Sequence, residues 1–347
     1  MHTVTLARNA MATRFEIVLH GENCPALRAA GEAALDEVAR LENQLSLHRP
    51  GSEIAQLNSR AAHEAVQVSP EVFALLQHAQ RLQAETDGAF DITIAPLVRC
   101  WGFLGGTGRM PTPEEVAAAQ ELVGMDQVCL DASNRTVRFA REGVMLDLGA
   151  IGKGYAVERA AGFLREAGVT SALIHGGTST ICAIGKPPDG EAWKIALDVT
   201  AELQRRTLAR SGGDLSGPKH TGSETGALPG ALTLALRDES LSISAASGRQ
   251  FEFGGSLYGH VLDPRTGKPA ESAFLSAVGL PSATETDALS TALLTLGAAG
   301  LDRISSQRTG MRTLIAQVWK GSLQTLSRGF ESLPSAAIEI LPKQNPR

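Results

Sequence analysis

The chain has 347 residues, of which 43% are hydrophobic and 20% charged, and this is the composition of an ordinary globular protein. Its net charge of -5 argues against nucleic acid as the main partner, because binding to phosphate chains needs a basic surface. No stretch approaches the roughly 18 apolar residues of a membrane span and the first residues contain no apolar leader, so we expect a cytoplasmic protein without a membrane anchor.

The N-terminal half shows both strand and helix periodicity. Alternating apolar residues predict a strand over 15–19, and a 3.6-residue apolar repeat predicts a long helix over 27–45. Ser69 can cap a second helix, and a third begins after Pro111. A hairpin, a further strand and a helix that closes at Gly168 follow, the strands lying at 127–130, 136–140 and 144–148.

Strands predominate in the C-terminal half, where one helix, 287–296, interrupts them. The segment 201–230 has no periodicity, and we predict that it is an exposed, partly mobile insertion. Most strands are joined by hairpins rather than by repeated helix crossovers, which indicates an α+β fold. The strands are predicted at 194–199, 231–236, 250–253, 258–262, 275–279, 313–318 and 322–326.

The segment from Asp147 to Gly154 combines a strand end, a glycine-rich turn and the start of a helix. Such a turn directs free backbone N–H groups and the positive end of the helix dipole at one point, and with Lys153 it suits a phosphate. Asp147 could instead accept a hydrogen bond from a ribityl hydroxyl or a ring N–H. A plain strand, turn and helix with a solvated lysine explains these residues equally well.

Two oxygen-bearing side chains are spaced for metal binding on the predicted C-terminal helix. Asp287 and Thr291 are four residues apart and therefore share one face of the helix. Their carboxylate and hydroxyl suit Mg²⁺, which completes its shell with water and substrate phosphates. Taken alone, the segment is better explained by polar cap residues on an amphipathic helix.

Two further segments contain candidate ligand contacts. Before the turn Asp-Pro-Arg-Thr-Gly, His260 could bind a ligand or transfer a proton near neutral pH, or it could be incidental. In the segment 86–96, Gly88 relaxes the backbone, while Phe90 and Asp91 offer an apolar surface and an acceptor to an aromatic heterocycle. A core role for Phe90 is favoured when that segment is taken alone.

These four segments, in this order and at these separations, resemble the ApbE family of FAD:protein FMN transferases. The resemblance runs from Met11 to about Phe330 and includes Ser52-Glu-Ile with Asn58, Pro96-Leu97, Trp101-Gly-Phe103 and Gly176-Gly177. It implies an α+β fold of mixed, largely antiparallel sheets packed with helices. It also implies a single domain over 1–330, followed by a C-terminal tail, 331–347.

The resemblance implies a chemistry as well. Members bind FAD and Mg²⁺ and move FMN onto a Ser or Thr hydroxyl of a target flavoprotein, forming a phosphoester and releasing AMP. By similarity, the metal ligands would be Asp287, Thr291 and the backbone carbonyl of Ala150. Our hypothesis for the general base is His260, which with Asp287 would form the catalytic pair. The implied FAD contacts are Met11, His48, Ala89, Phe90, Asp91, Asp147, Lys153, His260 and Val261.

Several positions depart from the family pattern. His48 stands where Tyr is common, Thr178 where Asp is usual, and Arg249 where Asp or Asn is usual. We therefore keep three hypotheses: an FMN transferase, an FAD pyrophosphatase that uses water to give FMN and AMP, and a non-catalytic FAD-binding protein. Only the transferase requires an acceptor flavoprotein with a Ser/Thr motif.

Overall fold

The computed structural model describes residues 1–199, 231–246, 248–320 and 322–330. The predicted insertion, 201–230, and the predicted tail, 331–347, lie outside the described residues. Every strand pair in the described ranges is antiparallel, and helices pack against the largest sheet, which confirms the α+β prediction. Within those ranges, no helix has both the length and the apolar character needed to cross a bilayer.

The strands and helices are numbered here in chain order. The strands are β1 His2–Ala10, β2 Thr13–Gly21, β3 Val66–Gln67, β4 Val128–Asp131, β5 Thr136–Phe139, β6 Ala172–Gly176, β7 Thr180–Ile184, β8 Trp193–Asp198, β9 Ala231–Leu236, β10 Ser240–Ala245, β11 Gln250–Phe253, β12 Ser256–Gly259, β13 Leu262–Asp263, β14 Lys268–Pro269, β15 Leu275–Leu280, β16 Arg312–Trp319 and β17 Ser322–Arg328. The helices are α1 Cys24–Leu45, α2 Glu53–Arg60, α3 Pro70–Glu85, α4 Ala95–Cys100, α5 Pro113–Gln120, α6 Gly152–Glu166, α7 Ala283–Leu296 and α8 Leu301–Ser305.

An eight-stranded sheet organises the fold, in the order β1-β2-β6-β7-β10-β15-β16-β17. Helices α1, α6 and α7 pack against one another and cover one face of this sheet. The hairpin β8–β9 covers the other face and closes a second apolar cluster there. The central part of the sheet is therefore buried on both faces, and its strands β6, β7 and β15 are apolar or small at nearly every position, whereas β1 at the edge is exposed on one face.

The helix starts follow the capping chemistry of the sequence. Ser69 accepts a hydrogen bond from the Val72 N–H at 3.4 Å, as predicted for the start of α3. Ser282 caps α7 in the same way, with the Glu285 N–H at 3.2 Å. Because of that cap, α7 begins one turn earlier than the sequence pattern predicted, and Asp287 lies in its second turn.

The predicted strand over 144–148 is wrong, because its backbone has no neighbouring strand. The Asn58 side chain from α2 takes that place: its Nδ2 donates to the Leu146 carbonyl at 2.9 Å, and its Oδ1 accepts from the Leu146 N–H at 2.7 Å. The Asp147 N–H donates to the Ile92 carbonyl at 2.7 Å. The segment is extended, and a side chain and a loop hold it.

The predicted strand over 258–262 is interrupted at His260. There the backbone leaves the β11–β12 ladder, and the His260 N–H donates to the Arg249 carbonyl at 2.9 Å. Pairing resumes with β14 at Leu262, and the predicted tight turn follows. In that turn the Gly267 N–H donates to the Asp263 carbonyl at 2.8 Å, and Gly267 has a φ of 68°.

Helices α6 and α7 approach one another closely at Gly154. A Cβ built on Gly154 would lie 2.2 Å from the Ala283 carbonyl oxygen and 2.6 Å from the Asp287 Cβ. Both neighbours belong to the backbone or stem of α7, so neither can move aside without shifting that helix. Any side chain at this position would therefore push the two helices apart.

We expect Gly154→Ala to lower the free energy of unfolding by about 1–3 kcal/mol, because the added methyl group overpacks this contact. Gly162 on the same helix is the matched control, since a Cβ there meets nothing within 4 Å. Gly162→Ala should raise the free energy of unfolding by about 0.5–1 kcal/mol through helix propensity. Urea denaturation measures both free energies of unfolding. Equal changes for the two substitutions would contradict the close contact between Gly154 and α7.

Candidate functional site

Asp287 is a buried carboxylate that the two neighbouring elements hold in place. It is 4% exposed, and its Oδ2 accepts from the Gly154 N–H at 2.9 Å. Its Oδ1 is 3.4 Å from the donor Oγ1 of Thr180, at the start of β7. Among the described residues, no Lys, Arg or His side chain lies within 4.0 Å of this carboxylate. A buried carboxylate is stabilised by hydrogen-bond donors, by a cation or by both, and the two donors to Asp287 leave lone pairs of its oxygens available for a metal.

The backbone carbonyl of Ala150 lies just before Ile151, the N-cap residue of α6, and therefore outside the helix. The first helical bond joins the Tyr155 N–H to the Ile151 carbonyl at 2.9 Å. The Gly154 N–H belongs to the first turn, which has no helical acceptors, and it donates to Asp287. Within the described part of the chain the Ala150 carbonyl accepts no hydrogen bond, so its oxygen fits the role of a metal ligand.

Thr291 lies one turn after Asp287 on the same face of α7. Its Oγ1 is 3.3 Å from the Asp287 carbonyl oxygen and 3.2 Å from the Ser244 Oγ on β10. The hydroxyl is only partly buried, and it can exchange its weak local hydrogen bond for a metal. The helical spacing predicted from the sequence thus places both side chains on the face of α7 that packs against the sheet.

The donor set at this point consists of oxygen atoms. The described residues contain no group of three or more His, Cys, Asp or Glu side chains arranged to hold a metal. A cation at Asp287 would therefore have one carboxylate, together with hydroxyl and carbonyl oxygens. That set fits Mg²⁺, which commonly uses one or two carboxylates and takes its other ligands from water and phosphate.

Two side chains of the turn that leads into α6 form hydrogen bonds within that turn. The Asp147 Oδ1 accepts from the Gly149 N–H at 2.8 Å, and the Lys153 Nζ donates to the Gly149 carbonyl at 3.1 Å. No side chain caps α6 at Ile151. The Gly152 N–H donates to the Leu148 carbonyl at 2.7 Å and the Gly154 N–H donates to Asp287, so among the described hydrogen bonds the Lys153 N–H is left free. This N–H and the Lys153 ammonium are the donors that the turn offers a phosphate.

His260 is oriented by a single backbone oxygen. Its Nδ1 lies 3.1 Å from the Arg249 carbonyl, which can only accept, so Nδ1 carries the proton and Nε2 has a free lone pair. The Phe103 ring packs edge-on against the imidazole at a centroid distance of 6.4 Å. Burial, followed by the positive charge of Arg249 and then that of Lys153, lowers the pKa of His260 to about 4. At neutral pH the imidazole is therefore uncharged and able to accept a proton.

The segment 89–91 lies inside the core. Phe90 is 1% exposed and has no open face on which a ring could stack, in agreement with the core role favoured from its sequence. The Asp91 Oδ1 accepts from the N–H of Thr93 at 2.8 Å and from its hydroxyl at 2.6 Å, while burial raises the pKa of this carboxyl. The Ala89 carbonyl accepts from Thr295 of α7 at 3.1 Å, so this segment is fixed to the same helix as Asp287.

Three of the predicted FAD contacts lie outside the network around Asp287. Met11 occupies the turn between β1 and β2 with a φ of 51°, and its N–H donates to Glu42 at 2.9 Å. His48 is exposed after the end of α1, and Val261 packs partly against the main core. Among the described hydrogen bonds, none joins these residues to Asp287, Lys153 or Thr291.

Some residues of the site were not identified from the sequence. Thr180 is fully buried and donates to Asp287, but it lies in a strand without a local signature. Glu158 of α6 accepts from the Ser282 hydroxyl at 2.7 Å and from the Thr284 N–H at 2.8 Å, and so stabilises the start of α7. The short run of hydroxyl residues after Gly177 was the one available sign of Thr180.

Comparison with known proteins identifies relatives along nearly the whole chain. Residues 11–315 match the ApbE family. The FAD:protein FMN transferase of Haemophilus influenzae is 26% identical and covers 95% of this chain and 91% of its own length. That of Treponema pallidum is 32% identical over 76% of this chain and 72% of its own length.

Solved structures agree with this likeness. The ApbE protein of Thermotoga maritima superposes with a TM-score of 0.76 at 26% identity, covering 95% of this chain and 97% of that one. The apo flavinyl transferase ApbE of Pseudomonas stutzeri gives a TM-score of 0.77 at 26% identity, with 94% of each chain covered. The fold expected from the sequence is thus confirmed.

We expect the imidazole of His260 to titrate with a pKa near 4, because burial and two neighbouring cations disfavour its protonation. The folded pKa lies below the unfolded value of 6.5, so the unfolded chain binds more protons between pH 4 and 6.5. The contribution of His260 to stability is therefore complete above pH 6.5 and is lost as the pH falls towards 4. An NMR titration with His260→Gln for assignment measures the midpoint, and a midpoint at or above 6.5 would contradict the described environment.

Proposed function

The chain belongs to the ApbE family, and from this premise we propose that it is a magnesium-dependent FAD:protein FMN transferase. In this reaction a Ser or Thr hydroxyl oxygen of an acceptor flavoprotein attacks the phosphorus on the FMN side of the FAD diphosphate. A new phosphoester bond forms, the bond to the bridging oxygen breaks, and AMP leaves with that electron pair. The hydroxyl proton passes to a base.

The oxygen donor set around Asp287 is the observation that supports this proposal most. Asp287, Thr291 and the Ala150 carbonyl would hold Mg²⁺, and among the described residues the Ala150 carbonyl accepts no hydrogen bond that the metal would have to replace. When bound, the metal supplies positive charge to the phosphoryl oxygens as they become more negative.

The residues of the chain have the remaining roles. Lys153 binds phosphate oxygens through its ammonium and its backbone N–H and fixes the diphosphate for in-line attack. His260 accepts the proton of the acceptor hydroxyl at Nε2, since Nδ1 is committed to the Arg249 carbonyl. This base is uncharged at pH 7, because burial lowers the pKa of His260 to about 4, and it is ready to act without first losing a proton.

Transfer to a protein is favoured over hydrolysis by the names of the relatives. Those of Haemophilus influenzae and Treponema pallidum are each described as an FAD:protein FMN transferase. Hydrolysis would use the same diphosphate site with water in place of the acceptor hydroxyl, and binding without turnover would leave FAD intact. The three functions therefore differ in their products.

Intact-mass spectrometry distinguishes these functions directly. We expect the purified protein, incubated with FAD, Mg²⁺ and a flavoprotein that carries a Ser/Thr acceptor motif, to add one FMN-sized mass to the acceptor and to release AMP. The matched control is the same acceptor with its Ser or Thr replaced by Ala, which should gain no mass. FMN and AMP without a gain in mass would indicate hydrolysis, and unchanged FAD would indicate a non-catalytic protein.

Asp287→Asn tests the metal assignment. We expect a loss of at least about 100-fold in Mg²⁺-dependent turnover, because an amide replaces the one charged ligand while the shape of the side chain is kept. Asp302→Asn, an 80% exposed carboxylate on α8, is the control and should retain full activity. Full turnover of the Asp287 variant at low Mg²⁺, with the fold intact by circular dichroism, would refute the assignment.

A further inference from the structure

Arg249 joins the candidate base to a neighbouring loop. Its Nη1 donates to the Phe103 carbonyl at 2.8 Å. Its own carbonyl accepts from the His260 N–H at 2.9 Å and from the His260 Nδ1 at 3.1 Å. The carbonyl of Arg249 therefore holds the imidazole of His260, while the guanidinium of the same residue is held by Phe103.

The segment that contains Arg249 runs directly against His260. A Cβ built on Gly248 would lie 2.4 Å from the His260 Cε1, so the backbone there leaves no room for a side chain. The positive charge of Arg249 is close enough to lower the pKa of His260, and that of Lys153 acts in the same direction. Two cations, one on α6 and one just before β11, thus act on one imidazole.

Among the described residues no carboxylate lies within 4.0 Å of Arg249 or Lys153, and each donates to a backbone carbonyl instead. Some arginines, such as Arg265 with Asp263 at 2.7 Å, have a carboxylate partner, and Arg249 has none within the described ranges. A guanidinium has five N–H donors, so Arg249 has donors left after binding Phe103.

Arg249 is exposed and Lys153 is partly buried, and two such cations acting on one imidazole are most favourable when an anion lies between them. Arg binds phosphate through two parallel N–H donors, whereas Lys acts as a point charge, so the pair suits a ligand with more than one phosphate. If Arg249 only held the Phe103 loop in place, its one hydrogen bond to the Phe103 carbonyl would be enough, and the residue would not need a charge.

We propose that Arg249 binds the diphosphate of the flavin substrate, with its guanidinium on one phosphate and Lys153 on the other. This inference rests on the proposed function, since it takes FAD as the ligand. It adds a second cationic contact beside His260, where the bond to AMP is broken.

Equilibrium binding without Mg²⁺ tests this contact separately from catalysis. The probes are FAD, ADP and riboflavin, titrated into the full chain and into its Arg249→Gln variant. We expect the Kd of FAD and of ADP to rise about 10- to 100-fold, because a charge-assisted contact is lost, while the Kd of riboflavin changes less than about twofold. The affinity for FAD should also become less dependent on salt, which a merely structural change would not cause.

Two further variants are matched to this test. Arg249→Lys keeps the charge but not the two-donor geometry, and it should bind FAD with intermediate affinity. Arg138→Gln removes an exposed arginine from β5 and should leave every Kd unchanged.

Equal FAD and ADP affinities in the unaltered protein and in Arg249→Gln would overturn the inference. An equal loss for riboflavin would also overturn it, because the substitution would then act on the fold. The transfer assay separates the two proposals. If FAD binding depends on Arg249 but neither transfer nor hydrolysis occurs, the proposed function alone is overturned. If transfer occurs and the Kd of FAD is unchanged in Arg249→Gln, this inference alone is overturned.

Discussion

The contact between the Gly154 N–H and the Asp287 carboxylate, at 2.9 Å, determines much of the site. It requires two helices to approach so closely that a Cβ at position 154 would meet the backbone of α7. It also gives a first-turn N–H of α6 an acceptor, which no side chain at the N-cap residue Ile151 supplies. One hydrogen bond thereby positions the carboxylate that we propose as a ligand of Mg²⁺.

A layer of hydroxyl groups between α7 and the sheet keeps this arrangement rigid. The Ser242 Oγ on β10 lies 2.8 Å from the Thr286 Oγ1 and 3.3 Å from the Thr180 Oγ1, which in turn donates to Asp287. Ser276 on β15 donates to the Ser290 carbonyl at 2.6 Å. Buried hydroxyls are stable only when they are paired, and a paired network permits few alternative positions of the helix. The sheet therefore sets where Asp287 points.

His260 depends on a different constraint, which is the break between β12 and β13. At the break its backbone and its ring both turn to the Arg249 carbonyl, so the tautomer is set by the course of the chain. The hairpin on the N-terminal side of the break is held by aromatic packing, with Phe251 and Tyr258 stacked at 5.4 Å and Trp101 against Tyr258 at 5.8 Å. The candidate base is thus carried by a well-packed hairpin rather than by a free loop.

The sequence by itself determined the features that depend on neighbours along the chain: the cap at Ser69, the spacing of Asp287 and Thr291, and the turn at Gly267. Only the tertiary structure decided the contacts between distant segments. Asn58 pairs with a backbone 88 positions away, and Thr180 meets Asp287 across 107 positions. No local periodicity encodes such a partner, because it is set by which faces of the helices and the sheet pack together. For that reason the predicted strand over 144–148 was wrong and Thr180 was missed, although the order of the motifs was enough to indicate the family.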